Sequence, residues 1–194
     1  MAFWSANFGE GTQSDPKRKF RFKVEITNLA GASSGTGATA DTMLWWAKTV
    51  SKPSFTIAAA EHKYLNHVFY YPGTVTWNEV VLTMVDPGSP DMAQVFTKLI
   101  VNAQYNPPAD STDLATMTKA TAVSALGDVN ITQIDGDGVE VEAWTLYNAF
   151  ITDVKYGDLA YGDDELTELS VTFKYDWATL ASGTDTIPDV EAVP

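Results

Sequence analysis

Residues 61–86, EHKYLNHVFYYPGTVTWNEVVLTMVD, form the stretch around which the rest of the chain is organised. Most of its apolar side chains are aromatic or β-branched, which favours an extended, pleated conformation over a helix. Pro72 followed by Gly73 supplies the fixed φ and the permissive φ that a tight reversal of the chain requires. We therefore predict an extended arm, a turn at Pro72-Gly73 and a long apolar strand from Val75 to Val85.

This predicted strand changes phase partway along. Val75 and Trp77 lie on one face, but beyond Asn78 and Glu79 the alternation shifts, so that the later apolar residues are Val80, Leu82 and Met84. A shift by one residue exchanges the two faces of a strand, and a β-bulge or a surface that is apolar on both sides would produce it. The question for function is whether this surface packs only inwards or also meets another copy.

A single amphipathic helix is predicted after this strand. Ser89-Pro90-Asp91 is typical of a helix start, with Ser89 as the N-cap and Pro90 in the first turn. The next apolar residues recur at helical spacing, and they are Met92, Val95, Phe96, Leu99, Ile100 and Ala103. We predict one helix over about residues 89–104. Residues 109–126 are compatible with a loop or with a second short helix.

Apolar alternation marks the remaining strands. From Lys19 to Thr27 the side chains on one face are Phe20, Phe22, Val24 and Ile26. A hairpin is predicted from Asp128 to about Val154, around the turn DGDG at residues 135–138. The last strand would point inwards with Leu169, Val171, Phe173, Tyr175 and Trp177.

The fold class predicted from these elements is mainly β. Strands with one helix and no regular βα alternation favour an antiparallel β-sandwich or barrel with one flanking α-helix and extended arms. A chain of 194 residues is long enough for one sizeable domain. We predict an N-terminal arm over residues 1–16, a β-barrel domain over 17–178 and a C-terminal tail over 179–194.

The charge of the chain is unevenly distributed. Residues 1–23 carry a net charge of +3, whereas the remainder carries −16. Such an acidic body repels phosphate backbones, which disfavours tight nucleic-acid binding. The chain has no cysteine and hence no disulfide. It also has no apolar run of roughly 18 residues, which is the length needed to span a membrane. The first residues lack a secretory signal, so we expect a protein made in the cytoplasm.

Four short patterns match motifs of functional sites but lack the surroundings that those motifs need. Residues 31–35, GASSG, match the nucleophile elbow of hydrolases, and residues 35–40 match a loose dinucleotide fingerprint, but no parallel α/β unit is predicted around them. His62 and His67 are five apart, so in one strand they would point to opposite faces and could not bind one ion. The turn at 135–138 lacks a calcium-loop pattern. We expect no enzyme, no metal and no cofactor.

Basic residues interleave with aromatics at the start of the first predicted strand. The cations are Arg18, Lys19, Arg21 and Lys23. This pattern suits a solvated strand face, a charge contact with the acidic surface of a neighbouring subunit, or a nucleic-acid surface. The acidic body makes the third alternative the least favoured.

Several of these segments together resemble the tail tube proteins of contractile-tailed bacteriophages of the T4 type. The resemblance is carried by EHKYLN at 61–66, by FYYPGTVTW at 69–77 with the apolar strand and SPDM helix start after it, and by LSVTFKYDW at 169–177. It covers about residues 44–100 and 144–178. It does not cover residues 30–42, 104–127 or the C-terminal tail.

The resemblance implies a structural role. Six copies would form a ring, and rings would stack into a tube inside a contractile sheath, with genomic DNA passing through the lumen without specific binding. The implied partners are further copies of the chain, the tail sheath protein, and baseplate and tail-terminator proteins, in a virion assembled in the host cytoplasm. An alternative is the tube protein of a type VI secretion or extracellular contractile injection system. A more remote one is a carbohydrate-binding β-sandwich, given six tryptophans.

If the resemblance holds, residues 44–60 form an inter-ring loop, and exposed aromatic and polar residues join the subunits. The candidate interface residues are Phe3, Trp4, Phe8, Trp45, Trp46, Lys48, Lys52, Phe55, His62, Tyr64, Asn66 and Tyr70. Possible charge contacts come from Arg18, Lys19, Arg21 and Lys23.

Overall fold

Two antiparallel β-sheets and two helices share one apolar core in the computed structural model. The structure describes residues 17–29, 46–89, 91–105, 116–162, 164–182 and 185–187. Within them the strands are β1 (Phe22–Ile26), β2 (Ala47–Val50), β3 (Phe55–Tyr64), β4 (His67–Trp77), β5 (Val80–Val85), β6 (Val129–Ile134), β7 (Glu140–Tyr147), β8 (Phe150–Lys155), β9 (Glu168–Lys174), β10 (Trp177–Ser182) and β11 (Asp185–Ile187). The helices are α1 (Met92–Asn102) and α2 (Lys119–Leu126).

The strands form two large sheets and one separate hairpin. The first sheet has the order β1-β6-β7-β10-β11, and the second has the order β2-β5-β9-β8. Strands β3 and β4 pair only with each other among the described residues. All of these pairings are antiparallel. The predicted mainly β, antiparallel fold with a flanking helix is confirmed.

Alternating side chains from both sheets fill the core. Leu169, Val171 and Phe173 of β9 are fully buried, as predicted for the last strand, and Tyr175 is buried as well. The prediction was wrong for Trp177, whose side chain is 41% exposed. The chain leaves the second sheet after Lys174 and enters the first sheet at Trp177, so the alternation does not continue across that crossing.

The N-terminal strand is shorter than its sequence pattern suggested. Val24 and Ile26 are buried as expected, but β1 begins only at Phe22. Phe20 was predicted to face the core and is instead 74% exposed, because it lies in a turn before the strand. Alternation therefore located the strand but extended it too far towards the N-terminus.

Helix α1 packs its predicted apolar stripe into the core. Met92, Val95, Phe96 and Leu99 are its buried residues. The N-cap is Asp91 and not Ser89 as predicted, because the Asp91 carboxylate accepts a hydrogen bond from the Gln94 backbone N–H at 2.9 Å. A carboxylate in this position also interacts favourably with the partial positive charge of the helix N-terminus.

Helix α2 lies in the segment for which the sequence left a loop and a short helix open. Thr118 caps it, and the Thr118 and Thr121 side chains exchange hydrogen bonds with each other's backbone N–H groups. The helix is packed beside α1, with Ala122 and Leu126 buried. Across the described residues, neither helix has the length and apolar character needed to cross a membrane.

The hairpin around residues 135–138 is confirmed as β6 and β7. The Asp135 carboxylate accepts hydrogen bonds at 2.9 Å from the backbone N–H groups of Asp137 and Val139, which stabilises the turn. The second strand was predicted to run to about Val154, but it ends at Tyr147. Asn148 has a φ of 55°, which redirects the chain into β8 of the other sheet.

Candidate assembly surfaces

The hairpin of β3 and β4 projects away from the core. Every residue of β3 is exposed, and in β4 only Val68 and Trp77 are half-buried. A ten-residue strand spans about 33 Å, so the hairpin is long relative to the six residues of β5. An isolated two-stranded hairpin is at best marginally stable in water. Its length and exposure make the hairpin a candidate assembly surface.

The reversal of the hairpin does not occur where the sequence pattern placed it. The turn lies at Leu65 and Asn66, with Leu65 at a φ of 52°, and the predicted turn at Pro72-Gly73 was wrong. These two residues lie inside β4, where the register shifts between Ile57 and Ala59 of the partner strand. A Cβ atom on Gly73 would lie 3.0 Å from the Ala58 carbonyl oxygen. Gly73 thus permits a close approach of two strands at a bulge.

The phase change near Asn78 marks the boundary between two strands. The single strand predicted from Val75 to Val85 was wrong, since β4 ends at Trp77 and β5 begins at Val80 in a different sheet. At this boundary the Asn78 backbone N–H donates to the Ser54 carbonyl at 2.8 Å, and the Asn78 amide donates to the Ser54 hydroxyl at 3.0 Å. The base of the hairpin is therefore closed by hydrogen bonds.

Aromatic side chains connect the hairpin base to the core. The rings of Phe55 and Trp77 pair across the strands with centroids 5.1 Å apart. The Trp77 ring also lies 5.8 Å from that of the buried Tyr175. Burial raises the pKa of the Tyr175 phenol, so this ring stays neutral. The hairpin is thus anchored at its base while its tip remains in solvent.

Aromatic and imidazole side chains share one face of the hairpin tip. Tyr64 pairs with His67, and His62 pairs with Phe69, so these four side chains lie on the same side of the ribbon. The prediction that His62 and His67 point to opposite faces was wrong, because the turn lies between them. The rings of His67 and Phe69 are in edge contact at 4.8 Å. No group of three metal-binding side chains occurs in the described segments.

A second exposed surface lies in the connection between β8 and β9, in the described residues 156–162 and 164–167, which we call the β8–β9 loop. Leu159 is 88% exposed, and Tyr161 and Leu166 are also exposed. Among these apolar residues lie the carboxylates of Asp158, Asp164 and Glu165. The loop borders an open cavity of about 660 Å³. Gly157, at a φ of +80°, has no space for a Cβ, which would lie 2.6 Å from the Glu168 carbonyl oxygen.

The sequence analysis did not identify the β8–β9 loop as a candidate surface. Its signal was present as YGDLAYGDDEL at residues 156–166, where large apolar residues alternate irregularly with glycines and acids. Such a run has neither a helical nor a strand period, so apolar residues within it cannot all be buried by one element. Large apolar residues within a run rich in glycine and acidic residues are the sequence signal by which the β8–β9 loop could have been found.

Glu142 connects three separate parts of the chain. Its carboxylate accepts hydrogen bonds from Lys17, from Lys52 at 2.6 Å and from the Trp144 indole at 2.7 Å. Burial alone would raise the pKa of Glu142, but these donors outweigh it and lower the pKa to about 2. Lys52 lies between β2 and the hairpin, so this cluster fixes the segment that leads into the hairpin.

The predicted charge contacts are partly used within the chain. Lys23 forms ion pairs with Glu140 at 2.5 Å and with Glu25 at 3.5 Å, and the Glu140 hydrogen bond contributes most to raising its pKa. The Arg21 guanidinium lies 5.5 Å above the Phe20 ring. Arg18 and Lys19 are exposed. Contact of these residues with a neighbouring subunit stays a prediction.

The predicted interface residues fall into three groups. Phe3, Trp4, Phe8 and Trp45 lie outside the described residues. Trp46 is half-buried, Lys48 pairs with Glu168, and Lys52 is engaged by Glu142 and Gln133. The remaining five lie on the hairpin, and they are Phe55, His62, Tyr64, Asn66 and Tyr70. Of the predicted inter-ring loop, residues 44–60, the described part from residue 46 onwards contains the edge strand β2, a connection at 51–54 and the first part of β3.

Comparisons of the sequence with protein-family models and with curated proteins give no match. Solved structures do match the fold. A chain in the sheath–tube complex of an extracellular contractile injection system (PVC, extended state) has a TM-score of 0.58 and 17% identity, covering 87% of this chain and 93% of that one. A chain in the tube-terminating cap of the anti-feeding prophage has a TM-score of 0.60 and 14% identity, covering 94% and 100%.

A chain in the anti-feeding prophage baseplate also shares the fold, with a TM-score of 0.58 and 14% identity over 88% of this chain and 98% of that one. At these identities the likeness establishes a common fold. The fold is that of chains found in contractile, phage-like injection machines, in agreement with the resemblance seen in the sequence.

Proposed function

We propose that this chain is the repeating subunit of the tube in a contractile injection machine. The observation that carries the proposal is the exposed hairpin of β3 and β4, which presents apolar and aromatic side chains to solvent along a length of about 33 Å. Exposed apolar surface of this extent marks an interaction site. A subunit that stacks on copies of itself needs an exposed surface of this kind for the contact. The likeness of the fold to chains of contractile injection machines supports the same role.

Within a ring, identical copies would meet through different surfaces. Strands β1 and β11 lie at the two opposite edges of the five-stranded sheet. A head-to-tail arrangement would place the β1 edge of one copy beside the β11 edge of the next, and a rotation that closes gives a ring. We propose six copies per ring, the number that the resemblance to phage tail tubes implies.

The lumen of the proposed tube would be acidic. The chain carries a net charge of −13, and a surface of this sign repels the phosphate backbone. We propose that genomic DNA moves through the lumen of a phage tail without specific binding. A ring structure with a basic channel would contradict this assignment.

Protein cargo is the second candidate. It is favoured by the fold likeness to a chain from an extracellular contractile injection system. Purified particles separate the two candidates, because a phage tail is joined to a capsid and nuclease-protected DNA, whereas an injection particle is not. In both cases we propose that the subunit is non-enzymatic and assembles with a sheath protein, a baseplate and a terminator.

Imaging of the full-length protein tests the proposed function. At high concentration we expect rings and stacked tubes by negative-stain electron microscopy, and a mass several times that of one chain by light scattering. A protein that stays monomeric at millimolar concentration and forms no ring would contradict the proposal. Binding to immobilised glycans without assembly would instead favour a carbohydrate-binding β-sandwich.

A further inference from the structure

We infer that the tip of the β3–β4 hairpin of one copy docks on the β8–β9 loop of the next copy along the tube, through the described residues 156–162 and 164–167 of that loop. The inference rests on the proposed tube function and specifies which surfaces join successive rings. Its occupant is a second copy of this chain. Position, exposed apolar surface and charge each support the pairing.

The two surfaces lie at opposite ends of the four-stranded sheet. The hairpin enters β5 at Val80, which pairs with Phe173, whereas the β8–β9 loop enters β9 at Glu168, which pairs with Val85. Six residues of β5 separate these ends by about 17 Å. Complementary surfaces at opposite ends of identical subunits produce an open stack and not a closed dimer.

Both surfaces expose large apolar side chains that nothing in the described chain covers. At the hairpin tip these are Leu65, which is 89% exposed, and Tyr70, which is 66% exposed and lies on the same face of the ribbon as Lys63. On the loop they are Leu159, Tyr161 and Leu166. The cavity of about 660 Å³ beside the loop is large enough to receive side chains of this size. Contact between the two surfaces would remove both sets from water, which favours association.

The two surfaces differ in charge. The hairpin tip carries one cation, Lys63, and one carboxylate, Glu61, so that it is close to neutral and does not repel an acidic surface. The loop carries Asp158, Asp164 and Glu165. Within the described part of the chain, neither Lys63 nor Asp158 forms an ion pair. Both charges are thus available to a neighbour, and their attraction would weaken with added salt.

Disulfide trapping tests the pairing directly, because the natural chain has no cysteine. The variant carries Leu65→Cys and Leu159→Cys in the full-length protein, and the control carries Leu65→Cys and Val139→Cys. Val139 is an exposed apolar residue in the β6–β7 turn. After mild oxidation we expect a ladder of dimers, trimers and longer products on a non-reducing gel, which the control and the single variants do not give.

A charge exchange provides a second, independent readout. Lys63→Glu and Asp158→Lys should each raise the protein concentration needed for tube formation by well over tenfold, since a loss of about twofold per exposed pair multiplies over all the contacts of a ring. The double variant Lys63→Glu/Asp158→Lys should restore the original concentration. Rings themselves should persist in all variants.

The outcomes distinguish this inference from the proposed function. If the unmodified protein forms no rings or tubes, the proposed function fails. If it forms tubes, but the L65C/L159C variant gives no more cross-linking than its control and the charge exchange restores nothing, the pairing is overturned while the tube function stands. Cross-linking of L159C to a different protein in purified particles would likewise overturn it.

Discussion

Replacing Glu142 by glutamine removes one charge from a cluster that joins β7 to two distant segments. The glutamine keeps the shape of the side chain, but it attracts Lys17 and Lys52 far less strongly. In the folded chain the pKa of Glu142 is lowered from 4.5 to about 2. A difference of that size corresponds to about 3.4 kcal/mol of stabilisation of the charged form.

Solvent reduces this value. The Glu142 side chain is 11% exposed, but those of Lys17 and Lys52 are about half exposed, so water screens the attraction. We expect Glu142→Gln to lower the free energy of unfolding by about 1–3 kcal/mol at pH 7, measured by urea denaturation. Because the folded pKa lies below the unfolded one, the stabilisation is fully present above pH 4.5 and is lost as the pH falls from 4.5 towards 2.

The pH dependence is the decisive part of this experiment. The difference between the natural protein and the E142Q variant should shrink between pH 5 and pH 3. Glu140→Gln is the matched control, since Glu140 is exposed and pairs with Lys23 at the surface, and it should cost less than about 1 kcal/mol. A difference between natural protein and E142Q that stays constant from pH 7 to pH 3 would refute the assigned role of the Glu142 charge.

Three further predictions concern the hairpin, the core and the β8–β9 loop. Replacing residues 58–74 by Asn-Gly keeps the Phe55–Trp77 pair and should give a folded protein by circular dichroism that forms no tubes; normal tubes would rule out the hairpin as the joining element. Phe96→Ala should lower the free energy of unfolding by about 3–5 kcal/mol in urea, because Phe96 is fully buried in the core, and a loss below 1 kcal/mol would contradict its packing. Gly157→Ala should cost about 1–3 kcal/mol, because the added Cβ meets the Glu168 carbonyl and the φ is positive, whereas Gly162→Ala, which meets nothing within 4 Å, should be nearly neutral.

Local sequence patterns predicted the fold class and most of the core. The alternation of Leu169, Val171 and Phe173 and the helical spacing of Met92, Val95 and Phe96 are direct consequences of burying one face of an element, so both were visible in the sequence. The turn after Asp135 was also predictable, since its side chain makes the hydrogen bonds that hold it.

The errors arose where tertiary structure decides between locally equivalent choices. Pro72-Gly73 suits a turn as well as a bulge, and only the pairing with β3 distinguishes them. Near Asn78, Asn148 and Lys174 the chain passes from one sheet to another, although apolar residues continue in the sequence on both sides. Alternation of apolar residues does not show such a change of sheet. The side-by-side position of His62 and His67 depended on the same misplaced turn. The β8–β9 loop was missed because exposed apolar residues have no period.

The way the hairpin joins the four-stranded sheet has a consequence for how such a subunit can vary. Strands β2 and β5 pair directly with each other, so the segment from Phe55 to Trp77 leaves and returns at one point of the sheet. Removing or adding one residue from each strand would change the reach of the hairpin by about 3.3 Å without altering the register of the sandwich. A change of one residue per strand also exchanges the two faces of the hairpin beyond that point, whereas a change of two residues per strand keeps each side chain on its original face. If the hairpin joins neighbouring subunits, as we propose, the distance between them could change in discrete steps without a change in the stability of the core.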